Sequence, residues 1–498
     1  MLMMLGCGDK NQSKKKKIRN ENNKVNNNQL IEKAFQLQAQ GKKLEAAKYY
    51  SYLIKKGLKD YRVFSNYGTF LKEIGKYHEA EFQLTKAIKL NPRYANAFYN
   101  LAGLFLEKGS LQKAEIHLRK AIDLKADFAI AHYNLGLLLK NQGKLQEAKL
   151  YIYKAIEKNP HLTDAYLSLS TMQETEKNQE WKNQLFSESF LNDKNNIELV
   201  NILFARSNIL HKKKQYKESA NNLIRANNLK LRMYESEANL LIKKTNKLKI
   251  STNNLGRNLQ EYQNDPISIF IVGLPRCGST LVESIISLNS QVNDLGEVNI
   301  FEESYRQYIK SDMKESLSSI YKKNSQNKNS KLTITTNKWL FNYQYAGIIA
   351  KTIPNAKIIH CYRNPLDNIL SIYRAHFSTG NSFSSSLIDC AKVYSDQEEV
   401  MKIYKKEFRS SIYDLNYDKL VTNPIEEIKS LIQWLQWEWN DIYLSPHLNQ
   451  RSVFTRSNVE IRSPINSKSL GGWKNYQEML KPAIETLSKK DLFKNSIT

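Results

Sequence analysis

No stretch of this 498-residue sequence approaches the roughly 18 consecutive apolar residues that a helical membrane span requires. A spanning segment is therefore not expected. The opening, Met1 to Lys10, holds too short an apolar core for a secretory signal, and a lipid-anchor reading of Cys7 fails on the same ground. Cysteine is scarce: Cys7, Cys277, Cys361 and Cys390 are scattered, with no C-x-x-C pairing. That spacing argues against structural zinc and against a disulfide framework, and it fits a reducing cytoplasm as the expected location. Acidic residues are few, 49 against 75 Lys and Arg, which leaves a net charge of +26. Such a surplus suits acidic partners: nucleotide phosphates, or sulfated or carboxylated acceptors. Because Lys and Asn abound along the whole chain, much of the charge also reads as solvated surface. The alternation of Arg with aromatics that stacks on bases is missing, so nucleic acid is not an expected partner. No histidine constellation suggests a metal.

What is present is a globular composition, 41% hydrophobic, in a chain long enough for two to four domains. Residues 1–28 are polar, with Lys14 to Lys17 in a row, and read as a disordered basic tail. A repeat follows. Gly41, Gly75, Gly109 and Gly143 stand 34 residues apart, as do Ala46, Ala80, Ala114 and Ala148. Ala87, Ala121 and Ala155 keep the same interval, and so do Asn66, Asn100 and Asn134. A glycine can end the first helix of a pair in a left-handed conformation, and alanines let two antiparallel helices approach. Pro92 and Pro160 lie between units, where a helix must stop. Leu135-Gly136, Ala148, Ile152 and Pro160 resemble the tetratricopeptide pattern. Four units cover about 27–162, and degenerate ones extend the array to give 29–232, with Ala220 read in the alanine slot of the last. The array reads either as a groove for a protein partner or acceptor substrate, or as a rigid spacer or dimer surface.

Residues 233–263 read as a helical linker, and 264–490 as a second domain. In that domain β-rich segments at 267–272, 291–295, 331–335, 356–362 and 411–416 alternate with helical ones near 279–289, 298–310, 341–352, 366–377 and 425–436. The expected fold is thus an all-α solenoid followed by a P-loop-like α/β domain with a parallel sheet. Ligands on such sheets bind at the carboxyl ends of the strands.

Two motifs stand at such ends. Residues 269–280, IFIVGLPRCGST, run from a buried strand through a glycine-bearing loop into a helix N-terminus, an anion cradle. Gly273 and Gly278 are spaced as in a Walker loop, but Ser279 stands where that motif needs lysine. Residues 357–373, KIIHCYRNPLDNILSIY, carry Arg363 at the end of a strand, Pro365 opening a helix, and Ser371 two turns along it.

These segments resemble the nucleotide-binding motifs of sulfotransferases. The chain looks like the tetratricopeptide-repeat sulfotransferases of bacteria, and its catalytic half is similar to the tyrosylprotein sulfotransferases. The resemblance covers nearly all of 27–480. It implies 3′-phosphoadenosine-5′-phosphosulfate as sulfuryl donor, with no metal. By that resemblance Arg276, Cys277, Gly278, Ser279 and Thr280 bind the 5′-phosphosulfate, although serine is usual where Cys277 stands. Arg363 and Ser371 hold the 3′-phosphate. Glu297 takes the acceptor proton, with Glu302 and Glu303 close enough to exchange roles with it. Lys338 bears charge developing on the bridging oxygen. Ser457 matches a serine near the transferring group, and Tyr417 a nucleotide-side tyrosine. Arg462 and Lys474, in the polar stretch 457–474, are assigned to the loop that closes over the donor. His360 reads as a satisfied core histidine; His376 and His447 are alternative bases.

The implied reaction is an in-line transfer of SO₃ to an acceptor oxygen, whether protein tyrosine or glycan hydroxyl. A kinase would need the missing Walker lysine. A scaffold with an inactive nucleotide-binding domain is the other alternative, for which Cys277 is the only hint.

Overall fold

The computed structural model describes residues 27–172, 180–255, 267–325, 334–377, 380–449, 451–453, 455 and 458–494. The expected tail, 1–28, therefore falls almost entirely outside the described residues. The chain divides into two compact units. One takes the described residues up to Leu139 with Gln146–Leu162; the other takes Lys140–Leu145 with those from Thr163 onward.

The first unit is helical. The helices Lys43–Lys55, Tyr61–Glu73, Tyr77–Leu90, Ala95–Glu107, Leu111–Leu124, Ala129–Asn141 and Leu145–Lys158, the last two reaching into 140–145, follow the 34-residue period. The glycines of the period have φ of +77° (Gly41), +76° (Gly75), +70° (Gly109) and +83° (Gly143), the left-handed region that ends a helix. All seven periodic alanines are buried. At Gly136 the helices meet so closely that a Cβ would lie 2.6 Å from Ile152 Cγ1. The asparagines link successive repeats: Asn100 donates to Ser65 Oγ at 3.0 Å, and Asn134 to Tyr99 Oη at 2.9 Å.

Five helices open the second unit: Thr163–Ser170, Glu180–Phe186, Asn196–Lys212, Tyr216–Met233 and Ala238–Asn254. The residues read from sequence as degenerate repeat and linker thus pack with the α/β half. Asn227 donates to the carbonyl of Tyr373, and Gln344 donates to the carbonyl of Leu241 at 3.0 Å. The pair Asn196–Lys212 and Tyr216–Met233 keeps the repeat geometry with different residues. Lys214 takes the left-handed turn at φ +61° where the clear repeats have glycine. Five residues on, as Ala148 follows Gly143, comes Ser219, wholly buried and bonded to Ser207 Oγ at 2.9 Å. Ser219, not Ala220, occupies the alanine slot. The reading slipped by one residue because a small hydroxyl, paired across the interface, replaces the methyl.

Beyond these helices lies a five-stranded parallel sheet of order β2-β3-β1-β4-β5. Its strands are β1 (Ile267–Gly273), β2 (Val292–Asp294), β3 (Ile334–Asn337), β4 (Ala356–Tyr362) and β5 (Ile412–Asn416). All five fall on the segments expected from sequence, although 331–333 lie outside the described residues. On one face Ile269, Ile271 and Ile359 pack with Val282, Ile285 and Ile286 of the helix Ser279–Ile286 and with Leu431 and Ile432 of Pro424–Trp434. On the other, Phe270 meets the rings of Phe301 and Tyr321 at 5.7 and 5.4 Å. Helices therefore cover both faces, as the apolar strands require. His360 lies inside this core, donating from Nδ1 to Asp414 Oδ1 (3.2 Å) and accepting at Nε2 from Gln397 Nε2 (3.0 Å), as a satisfied core histidine.

Candidate active site

Each of the five strands delivers a candidate residue just past its carboxyl end. β1 leads into the loop of Arg276, β2 to Glu297, β3 to Lys338, β4 to Arg363 and β5 to Tyr417. The parallel sheet is the reason residues 141 positions apart in sequence (417 − 276) meet at one edge.

The β1 loop is held in a conformation its residues would not choose alone. Arg276 has φ +69° and Gly278, the N-cap of the helix Ser279–Ile286, has φ +95°. A Cβ on Gly278 would also lie 2.2 Å from the Tyr417 ring. Glycine is thus required twice over. The first N–H groups of that helix have no partner within it, so the loop can receive an anion. Cys277 turns inward: its side chain is buried, packed with Ile269, Val282 and Cys361. A Cβ on Gly273 would lie 3.0 Å from its sulfur. The sequence reading places Cys277 among the donor ligands through its backbone N–H; its side chain packs into the core.

Lys338 is the centre of charge. It is 1% exposed, with Nζ 2.8 Å from Glu283 Oε2, 3.2 Å from Glu297 Oε1 and 3.5 Å from Thr280 Oγ1. Burial would push the Lys338 pKa down, but Glu283 and Glu297 outweigh it, and the group stands above the ordinary lysine value. Glu297 is 46% exposed. Of its neighbours in sequence, Glu302 is committed elsewhere, to Lys244 at 2.9 Å and to Arg306.

Arg276 and Ser371, assigned from sequence to opposite ends of a nucleotide, are joined here: Arg276 Nε donates to Ser371 Oγ at 3.0 Å. The same guanidinium donates to both oxygens of Glu460, at 2.6 and 2.9 Å. If Arg276 receives an anion, Glu460 competes with it for the same guanidinium. A Glu460→Gln variant should therefore bind an anionic nucleotide about two- to five-fold more tightly, as release of one partly exposed ion pair allows. Titration calorimetry with adenosine 3′,5′-bisphosphate reads the change; unchanged or weaker binding counts against the competition.

Arg363, buried, donates to the Ser469 carbonyl at 2.9 Å and lies over the Tyr417 ring at 4.8 Å, with Asp367 and Asp418 each 3.8 Å away. Its Nε has no hydrogen-bond partner among the described residues. Asp367 accepts from the backbone of Gly471 (2.7 Å) and Trp473 (3.0 Å), which pins the Gly-Gly-Trp turn beside Arg363. Lys474, on that turn, is exposed. Arg462 donates to the carbonyls of Asn449 and Arg451, contacts that occupy the guanidinium assigned from sequence to the donor. Ser457 lies outside the described residues. His376 packs edge-on against Phe204 at 4.9 Å, and His447 sits in the short turn Pro446–Leu448.

Sequence reasoning missed four residues: Glu283, Arg451, Glu460 and Arg374. Arg374 follows Ser371 by one turn, donates to His211 Nε2 at 3.1 Å, and leaves its own Nε without a partner among the described residues. The signal for Glu283 was present, a lone carboxylate in the apolar helix STLVESII.

The family described as Sulfotransferase family matches residues 266–441, the stretch holding all five strands. TPR repeat and Tetratricopeptide repeat families match 104–143, and 61–94 and 129–161. An uncharacterized protein of Aquifex aeolicus is 28% identical over 315 residues, 57% of this chain and 41% of its own length. The chain thus spans less than half of that relative. Protein-tyrosine sulfotransferase 1 of Danio rerio is 24% identical over 252 residues, 44% of this chain and 69% of its own. The solved sulfotransferase domain of the Synechococcus PCC 7002 olefin synthase is 13% identical, covering 46% of this chain and 98% of that one with a TM-score of 0.34. This chain carries tetratricopeptide repeats on its N-terminal side and a domain of the sulfotransferase family on its C-terminal side, distantly similar to protein-tyrosine sulfotransferase.

Proposed function

We propose that the C-terminal unit transfers a sulfuryl group from 3′-phosphoadenosine-5′-phosphosulfate to an acceptor oxygen. The observation that carries this reading is the Lys338 ammonium held between the anion loop and the half-exposed Glu297. Sulfuryl transfer needs positive charge where the S–O bond to the leaving phosphate breaks, and a base where the acceptor loses its proton. In the proposed reaction the acceptor oxygen forms the new S–O bond as Glu297 takes its proton. The bond to the 5′-phosphate oxygen breaks, and Lys338 with the loop N–H groups receives that charge. Arg363 and Ser371 bind the 3′-phosphate, with Tyr417 and the 469–474 turn around the nucleotide. The cations are side chains, so no step calls on a metal. A tyrosine or glycan hydroxyl fits this chemistry equally, and the repeats are proposed to bind the acceptor or a protein partner.

The test is calorimetry of adenosine 3′,5′-bisphosphate against ATP, with wild type and Arg363→Ala. Binding of the bisphosphate in preference to ATP, weakened about 100-fold or more in the variant, is expected, because a charge-assisted contact to phosphate is lost and the buried Asp367 and half-buried Asp418 are left without their cation. A folded protein that ignores the bisphosphate removes the reading and leaves the scaffold alternative.

A further inference from the structure

Beneath Lys338 lies a second carboxylate that the proposed chemistry does not use. Glu283 is 1% exposed and sits one helical turn beyond Thr280, so both face Lys338. Its Oε2 receives Lys338 at 2.8 Å and Arg451 Nη2 at 2.5 Å, while Oε1 is buried without a hydrogen-bond partner among the described residues. Arg451 continues to Asp294, whose Oδ1 accepts the N–H of Gly296, the residue before Glu297. The Lys338 N–H in turn donates to the Gly296 carbonyl at 3.0 Å. One buried carboxylate therefore joins the anion loop, the lysine after β3 and the turn that presents Glu297.

A buried carboxylate next to an anion site is costly. It repels the ligand, and its own desolvation is repaid only by well-placed partners. Ground-state binding alone would favour a neutral residue in its place. We propose that Glu283 is a positioning residue for the transfer step: it holds the Lys338 ammonium between Thr280 and Glu297, and through Arg451 sets the turn that carries Glu297. This inference rests on the reading of the site as a sulfuryl-transfer centre.

Losing Glu283 leaves Lys338 with one carboxylate, Glu297. Two consequences follow. The ammonium is drawn onto the base and away from the loop, and it loses part of what offsets its burial, so its pKa falls. The groups around it are Glu283 and Thr280 from the loop helix, Glu297 beyond β2, Arg451 and Asp294 through Glu283, and the buried Cys361 thiol at the end of β4, on which the Lys338 charge acts. None of these replaces the missing negative charge.

The experiment compares wild type, Glu283→Gln and Glu283→Asp in bisphosphate affinity, single-turnover release of bisphosphate from the sulfated donor, and the pH dependence of that rate. For Glu283→Gln, affinity should be equal or tighter, since a like charge is gone. The rate should fall about 10–100-fold, as when an outer partner of a reacting group is removed. The alkaline limb should move to lower pH. Glu283→Asp keeps the charge but retracts it by one methylene, so it should be slower with its alkaline limb near that of wild type. Affinity and rate falling together by one factor, with no shift of the limb, would mean a merely structural role and overturn the proposal. So would a Glu283→Gln enzyme that matches wild type. If wild type itself fails to bind the bisphosphate, the sulfotransferase reading falls first.

Discussion

Lys338→Met should lower single-turnover transfer by about 10²–10³-fold while leaving bisphosphate affinity within roughly ten-fold of wild type. The asymmetry follows from where the ammonium sits. In the free protein it is already neutralised by Glu283 at 2.8 Å and Glu297 at 3.2 Å, so it has little charge to spare for a bound product. It gains most when charge grows on the departing oxygen and Glu297 is being protonated. The same substitution should destabilise the fold. Removing one member of a buried pair costs about 3–5 kcal/mol, and here the low end applies because Arg451 still faces Glu283. Urea midpoints at constant m-value report the stability, and rapid-quench release of bisphosphate reports the rate. A folded Lys338→Met enzyme with undiminished transfer would remove the lysine from the reaction.

The second large effect is expected from a single methyl group. Gly278→Ala places a Cβ 2.2 Å from the Tyr417 ring at a backbone angle, φ +95°, that L-residues avoid. The angle alone costs roughly 1–2 kcal/mol. The clash adds a displacement, since either the loop retreats from its cradle or Tyr417 leaves the position in which it carries Arg363 at 4.8 Å. Either movement disturbs the proposed phosphate contacts, so bisphosphate binding should weaken by about 100-fold or more, the loss of two or more charge-assisted contacts. Gly296→Ala is the comparison. Its φ is +69°, but nothing lies within 4 Å of the added Cβ, so only the backbone strain remains. Equal binding by Gly278→Ala and wild type in calorimetry would show that the loop does not hold the anion.

The legible part of this molecule was local. A strand followed by a glycine loop, or by Arg-Asn-Pro, announces itself because strand, turn and helix start are neighbours in sequence. The five strand ends were therefore legible, and the structure puts Arg276, Glu297, Lys338, Arg363 and Tyr417 just past them, the roles of these residues coming from the family resemblance. What escaped depends on partners far along the chain. Glu460 is 184 residues from the Arg276 it pairs with, and Arg451 is 168 from Glu283. Arg451 lies in no segment with a period or a motif, and Glu460 is a lone acid in the polar stretch 457–474, whose sequence does not show which cation it meets. The direction of the Cys277 side chain also depends on a distant partner: its sulfur turns in beside Gly273, which pairs with Cys361 of the neighbouring strand. The last repeat was misplaced by one residue at Ala220 because identity, not geometry, was being followed. Lys214 and Ser219 preserve the turn and the close approach while changing both residue types.

The arrangement of one candidate residue per strand end bears on how the protein folds. A site drawn from all five strands does not exist on two or three of them, and the central strand β1 pairs with segments more than 60 residues away on either side. Such long-range pairings form late and slowly. A ligand that needs every strand end gains no hold on a partly assembled sheet. Its stabilisation falls on the completed state alone, retarding the first step of unfolding and leaving the rate of assembly as it was. The proposed nucleotide site is in this sense a lock fitted after the door is hung.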